Sequence, residues 1–228
     1  MNGGSQSIRL PGILPGSSQV LHRAFNPVTD TVRDVTAAFS QAMQLSWSSD
    51  DGRRLETVRV VITDRGMRAS GYLVVVGRHS FGVSYSLLCD DAGRTRRLTV
   101  QSDSLAGERG LVLTRTPGGP WLDGAGKSPP MADLDSAQDV DLTASAFTNS
   151  LTVRRLGLHR QMGHEPVPVV QVGVPELSVE AAVHRYRTVS VTADGARIDH
   201  FGPAGHHEIT VDRQGFVIDV PHLSYRLR

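Results

Sequence analysis

From about residue 45 to the end of the chain, apolar and polar positions alternate with a period of two. RLETVRVVITD (54–64), SFGVSYSLLCD (80–90), RTRRLTVQS (94–102) and RGLVLTRT (109–116) each put aliphatic residues on one face and charged or hydroxyl residues on the other. That is the pattern of a half-buried strand. ASGYLVVVG (69–77) is almost continuously apolar and reads as another strand of the series. Turn formers separate the runs: Asp64-Arg65-Gly66, Gly77-Arg78 and Asp90-Asp91-Ala92-Gly93,. PGGPW (117–121) turns into one more short strand. Connections this short make hairpins, so the spacing predicts an antiparallel meander.

The second half repeats the pattern. VPVVQVGVPEL (167–177), interrupted by Pro168 and Pro175, reads as an edge strand,. Residues 179–202 form a long hairpin turning at Asp194-Gly195, and 207–221 form a second, turning between Asp212 and Gly215. Between the halves lies QDVDLTASAFTNSLTVRRLGL (138–158), which holds Asp139, Asp141, Thr148, Asn149, Arg154 and Arg155. Val140 and Leu142 alternate with charges before its polar turn, and Leu151 and Val153 after it, so two strands joined as a hairpin or at a corner between sheets are expected. Two halves of similar plan, about 45–125 and 138–228, are expected to curl around a common interior.

The first 44 residues differ. Residues 1–28 are rich in Gly, Ser, Pro and Gln and read as a flexible arm,. Thr29 or Asp30 then caps an amphipathic helix over 29–44, with Val32, Val35, Phe39, Ala42 and Met43 at helical spacing,. Core packing is the ordinary use of such a stripe; a lid over a pocket and a homodimer contact are the alternatives.

Composition narrows the function classes. The formal charge of +1 argues against a nucleic-acid partner, and the basic residues are nearly all arginine, with Lys127 the only lysine,. Cys89, the only cysteine, allows no intrachain disulfide and no Cys-rich metal site,. No apolar run exceeds the five residues of 72–76, far short of the roughly 20 a membrane helix needs,. The N-terminal residues have no sustained apolar stretch of the secretory type, so a cytoplasmic protein without integral membrane association is expected. No metal and no cofactor are expected: the nine histidines are scattered, and none shows ligand spacing with a third donor. GKS at 126–128 lacks the glycine of a phosphate loop, since Trp121 stands there, and no nucleophile elbow occurs,.

Chemistry therefore concentrates in 138–158. Asp139 and Asp141 lie two apart on a strand and share a face, which suits a metal pair or a structural ion pair with Arg154 or Arg155. Adjacent arginines on a strand point to opposite faces, so one would turn inward, toward a carboxylate or a bound ligand.

LDSAQDVDL followed by TNSLTVRRLGL resembles the signature LxGCxDVDLxxTPxTNTLPIRRLxL of the bacterial family named "putative glycolipid-binding domain". Trp47 ahead of the first strand, GGPW ending at Trp121, the proline-flanked strand before Tyr186 and the ending VDRQGFVIDVPHLSYR agree with it as well. The likeness spans about residues 45–228. Ala137, Ala146, Phe147, Thr152 and His184, the last in place of a common glutamine ahead of Tyr186, depart from its pattern, while Asp139, Asp141, Thr148, Asn149, Arg154 and Arg155 match. The resemblance implies a mainly β spiral roll or half-barrel, likened to periplasmic lipoprotein carriers. With the pattern above, the expected fold is antiparallel curved sheets around an apolar cavity, with one N-terminal helix. Trp47, Tyr85, Trp121 and Tyr186 are the candidate cavity residues. The implied function is binding of a lipid-like or glycolipid-like hydrophobic molecule. A cofactor-independent cyclase or isomerase acting on such a molecule is the alternative, and an interaction module the third. The family carries no established catalytic residues.

Overall fold

The period-two alternation becomes strand throughout. The computed structural model describes residues 40–117, 119–127 and 132–228. The first meander holds β1 (Ser40–Ser48), β2 (Arg54–Thr63), β3 (Gly66–Val75), β4 (Phe81–Cys89), β5 (Thr95–Ser104), β6 (Gly107–Arg115) and β7 (Trp121–Asp123). A short 3-10 helix, Ala132–Ser136, leads to β8 (Asp139–Leu142) and α1 (Asn149–Leu156). Then follow β9 (His164–Gly173), β10 (Ser178–Thr192), β11 (Gly195–Gly202), β12 (Gly205–Asp212), β13 (Val217–Val220) and β14 (Ser224–Arg226). The protein is mainly β, as its pattern predicts.

All 14 strands join one curved, unclosed sheet ordered β7-β6-β5-β4-β3-β2-β1-β14-β13-β12-β11-β10-β9-β8. Each half is a meander, and the two are sewn together by the antiparallel pair β1–β14, with Trp47 opposite Arg226. The two ends of the sheet also approach each other. Thr95 N–H donates to Gln138 O at 2.8 Å, and Trp121 Nε1 donates to Ala137 O at 3.0 Å. The sheet therefore curls until the segment entering β8 touches β5 and β7.

The inner face of this curl carries the core. Val58 and Val60 of β2, Ala69 and Leu73 of β3, and Val83, Tyr85 and Leu87 of β4 alternate inward and are buried. The space they enclose is occupied by the connection between β8 and β9. Phe147 stacks within 6.5 Å of Tyr85 and 6.3 Å of Phe216, and lies tilted 6.4 Å from Trp47. Such ring pairs add about 0.5–1.5 kcal/mol each beyond the area they bury. Leu151 and Val153 of α1 are buried beside them.

Four expectations need restating. Residues 149–156 form a helix rather than the second strand of a hairpin. Gly157, at φ 68°, closes it: Gly157 N–H donates to Arg154 O and Leu158 N–H to Val153 O. Both bonds belong to the Schellman ending that a left-handed glycine permits. With only eight residues, two turns, the helical period had no length in which to show itself. Second, the helix expected over 29–44 lies outside the described residues as far as residue 39, and its last five residues, 40–44, open strand β1. The arm expected over 1–28 also lies outside them. Third, β9 lies between β10 and β8 rather than at the edge. β8 covers only the stretch from Val169 to Val172, in the one parallel pairing among the described residues. Pro166 and Pro168, which have no N–H to donate, sit in the half that β8 leaves free,. Fourth, the candidate cavity aromatics Trp47, Tyr85, Trp121 and Tyr186 are all packed into the core, at most 4% exposed.

Candidate ligand-binding cleft

The site is built on a buried acid. Glu56 falls in phase with Val58 and Val60 on the inward face of β2 and is fully buried. Its Oε1 accepts from Tyr85 OH at 2.7 Å and Ser145 Oγ at 2.6 Å. Its Oε2 accepts from the N–H groups of Ala146 at 2.7 Å and Phe147 at 3.2 Å. Burial pushes the carboxyl up, and these four donors pull it back,. Glu56 thus pins the 143–148 turn, from the second half, to a strand of the first. On the other side of that turn, Arg54 Nη1 donates to Ala144 O at 3.2 Å.

The acidic pair and α1 fit by matched spacing. Asp139 and Asp141, two apart on β8, are separated by about 6.6 Å along the strand, and residues four apart on a helix by about 6 Å. Thr148 Oγ1 accordingly reaches Asp141 Oδ1 at 2.9 Å, and Thr152 Oγ1 reaches Asp139 Oδ2 at 2.9 Å. Arg155, three residues beyond Thr152, closes on Asp139 with Nε 3.0 Å from both carboxylate oxygens and Nη2 2.6 Å from Oδ2. Asp139 has no exposed side-chain surface and Arg155 little, so the expected structural ion pair is Asp139–Arg155. Arg154, about 100° round the helix, lies 4.3 Å over the Phe216 ring and donates to Gln214 O,.

Asp141 has no arginine partner among the described residues. With Asn149 it lines a cleft of about 130 Å³ between the β8–α1 connection and strands β9 to β12. Gln171, directly opposite Asp141 in the β8–β9 register, joins them. From β10 and β11 come His184 and His200, with His200 Nε2 3.0 Å from His184 Nδ1. Tyr186 backs the pair, its ring 4.7 Å from that of His200. Leu142, Ala146, Ile209, Val220 and Leu223 add apolar surface to the lining.

Electrostatics follow from enclosure. Burial lowers His184, with Asp141 drawing it partly back, and burial together with the neighbouring His184, His207 and His206 lowers His200 to about 3. Both rings are therefore neutral near pH 7. Burial raises Asp141 while His184 and the Thr148 hydroxyl lower it. Two buried polar atoms of the cleft, Asn149 Oδ1 and His184 Nε2, have no hydrogen-bond partner among the described residues. Each costs about 1–3 kcal/mol while unsatisfied.

The structure thus brings Asp141 and Asn149 to one cleft and sends Thr148, Asp139, Arg154 and Arg155 to its support. Trp47, Tyr85, Trp121 and Tyr186 do not line it. Glu56, His200 and Gln171 are not singled out in the sequence, and His184 is marked only as a departure from the family's glutamine. Glu56 left a signal: a lone acid in phase with buried valines. The contact of the two histidines left none, because it depends on a bulge between Thr188 and Ser190. That bulge shifts the β10–β11 register by one and sets Tyr186, rather than Arg187, opposite His200,.

A family model described as "Putative glycolipid-binding" matches residues 44–226. The chain belongs to this family. The matched range spans both meanders and so takes in Glu56, the acidic pair, α1 and the histidines. A crystal structure of a DUF1089 family protein from Pseudomonas aeruginosa is similar over 90% of this chain and 100% of that one, at 21% identity and a TM-score of 0.63. It shares the fold. A β-barrel-like DUF1849 protein from Brucella abortus gives a TM-score of 0.43 at 10% identity, over 82% of this chain and 93% of its own. No curated protein matches.

Proposed function

We propose that this member of the glycolipid-binding family binds a lipid-like or glycolipid-like molecule, holding its polar head in the cleft between α1 and β9–β12. The observation that carries this reading is an apolar-walled cleft ending on two buried, unpartnered polar atoms, Asn149 Oδ1 and His184 Nε2. A ligand group reaching them would remove a standing cost of the empty fold. About 130 Å³ equals the liquid volume of roughly four waters,. That room takes part of a headgroup and leaves the rest of it, with the alkyl chains, to lie along Leu223 and the exposed 203–205 turn. The interior aromatics then act as scaffold.

Native mass spectrometry of the purified chain, followed by organic extraction, tests this. An acyl-bearing molecule should co-purify with the wild type and be depleted from Asn149→Leu, which fills the cleft floor. Equal loading of both proteins, or none in either, would sink the proposal.

The opposed shifts of Asp141 and His184 favour a second reading, acid–base catalysis on the bound molecule by a cofactor-independent isomerase or cyclase,. It requires Asp141→Asn to abolish turnover of the extracted molecule at an unchanged melting temperature.

A further inference from the structure

We propose that the cleft holds a dipolar headgroup, seating its primary ammonium against Asp141 and its oxyanion against Arg54. This rests on the binding reading above and gives the polar head its charges. Asp141 and Arg54 both line the cleft, yet no ion pair joins them among the described residues. Each is held instead by a neutral partner on the β8–α1 connection. Asp141 Oδ1 accepts from Thr148 Oγ1 at 2.9 Å, and Arg54 Nη1 donates to Ala144 O at 3.2 Å. One cleft thus carries a carboxylate and a guanidinium, each without an opposite charge. Burial raises Asp141, as it does any carboxylate short of a cation,.

The spare hydrogen-bonding groups divide the same way. Three atoms accept. Asp141 Oδ2 has no hydrogen bond among the described residues. Asn149 Oδ1 and His184 Nε2 are buried and unpartnered, with His184 only 1% exposed. His184 Nδ1 lies 3.0 Å from His200 Nε2, and when Nδ1 holds the proton between them, His184 Nε2 is a bare acceptor,. A primary ammonium has three N–H donors, one for each of these atoms. Two groups donate. Arg54 uses one of its five N–H groups,. The N–H of Asn149, the first residue of α1, has no acceptor among the described residues. A guanidinium beside a helix-start N–H is a donor set that suits an oxyanion. An uncharged head would leave both charges unmatched. A quaternary ammonium brings no N–H, and a purely anionic head leaves Asp141 stranded.

Isothermal titration of the full chain tests this with dihexanoyl phosphatidylethanolamine, the matching phosphatidylcholine and phosphatidic acid, and octyl β-glucoside, each below its micelle threshold. Phosphatidylethanolamine should bind at least about tenfold tighter than each of the others, the worth of one charge-assisted hydrogen bond. Arg54→Gln should weaken phosphatidylethanolamine and phosphatidic acid alike, by about tenfold. Asp141→Asn should weaken phosphatidylethanolamine by a similar factor and leave phosphatidic acid as tight or tighter. Mere loosening of the fold would not give that crossed pattern. Any comparison ligand binding as tightly as phosphatidylethanolamine in the wild type, or an Asp141→Asn protein that loses both phospholipids equally, overturns the dipolar head and leaves the cleft as a lipid site. No saturable binding of any of the four overturns both readings. Free phosphoethanolamine separates a lipid from a soluble ligand: affinity equal to that of the lipid keeps the dipolar head and removes the lipid.

Discussion

Replacing Arg155 by methionine isolates the energetics of the charged corner. Methionine keeps the stem that packs beside Gly93, where an added Cβ would meet Arg155 Cβ at 3.3 Å. It deletes the guanidinium and leaves Asp139, with no exposed side-chain surface, holding only the Thr152 hydroxyl. Removing one partner of a buried pair costs about 3–5 kcal/mol, because the orphaned charge is still buried. At about 2–4 °C per kcal/mol for a body of this size, the melting temperature should fall by roughly 6–20 °C. Calorimetry and urea unfolding would measure it. The double variant Asp139→Asn/Arg155→Met should recover much of the loss, since the stranded charge is gone while an acceptor for Thr152 remains. A fall below about 2 °C for Arg155→Met, or a double variant no better than the single, would mean that the pair behaves like a solvated surface bridge. The matched-spacing account of the corner would then be wrong.

Glu56→Leu should cost at least about 4 kcal/mol in urea unfolding, because four buried donors, at about 1 kcal/mol or more each, lose their acceptor together. Glu56→Gln should cost about 1–2 kcal/mol: its carbonyl can serve the two N–H groups while the two hydroxyls turn to accept from its amide. Acid should destabilise the protein through the histidine pair. His184 and His200 stay neutral when folded, with His200 lowered to about 3. Below the unfolded value of about 6.5 the unfolded chain takes up protons ahead of the folded one at both positions, and stability falls as pH drops from there, for His200 as far as about 3,. For His200 alone the loss at pH 5 relative to pH 7 is about 2 kcal/mol. His200→Asn should reduce the difference between those two pH values by that amount, and an unchanged difference would place the acid sensitivity elsewhere.

Much of the fold is legible in local pattern. A strand's inward face is written into every second residue, and turn residues sit where the chain must reverse, so the meanders and their hairpins follow from the sequence alone. The pairing of an acid from Asp139-x-Asp141 with one of two arginines is legible too, because a buried carboxylate needs a partner. Tertiary structure decided the rest. Thr152 and Val153 are as much at home in a strand as in a helix; burial inside the curl and the left-handed Gly157 made them helical. Which acid pairs and which stays free for the cleft depends on where that helix ends. The closure of the two halves at β1–β14 joins residues almost 180 apart, beyond any local period. The His184–His200 contact depends on one bulge that turns a face over, and Glu56 acquires its four donors only when the turn from the other half folds onto it. Periodicity reports which face of each strand is buried. What lies opposite that face is set by the packing of the whole sheet.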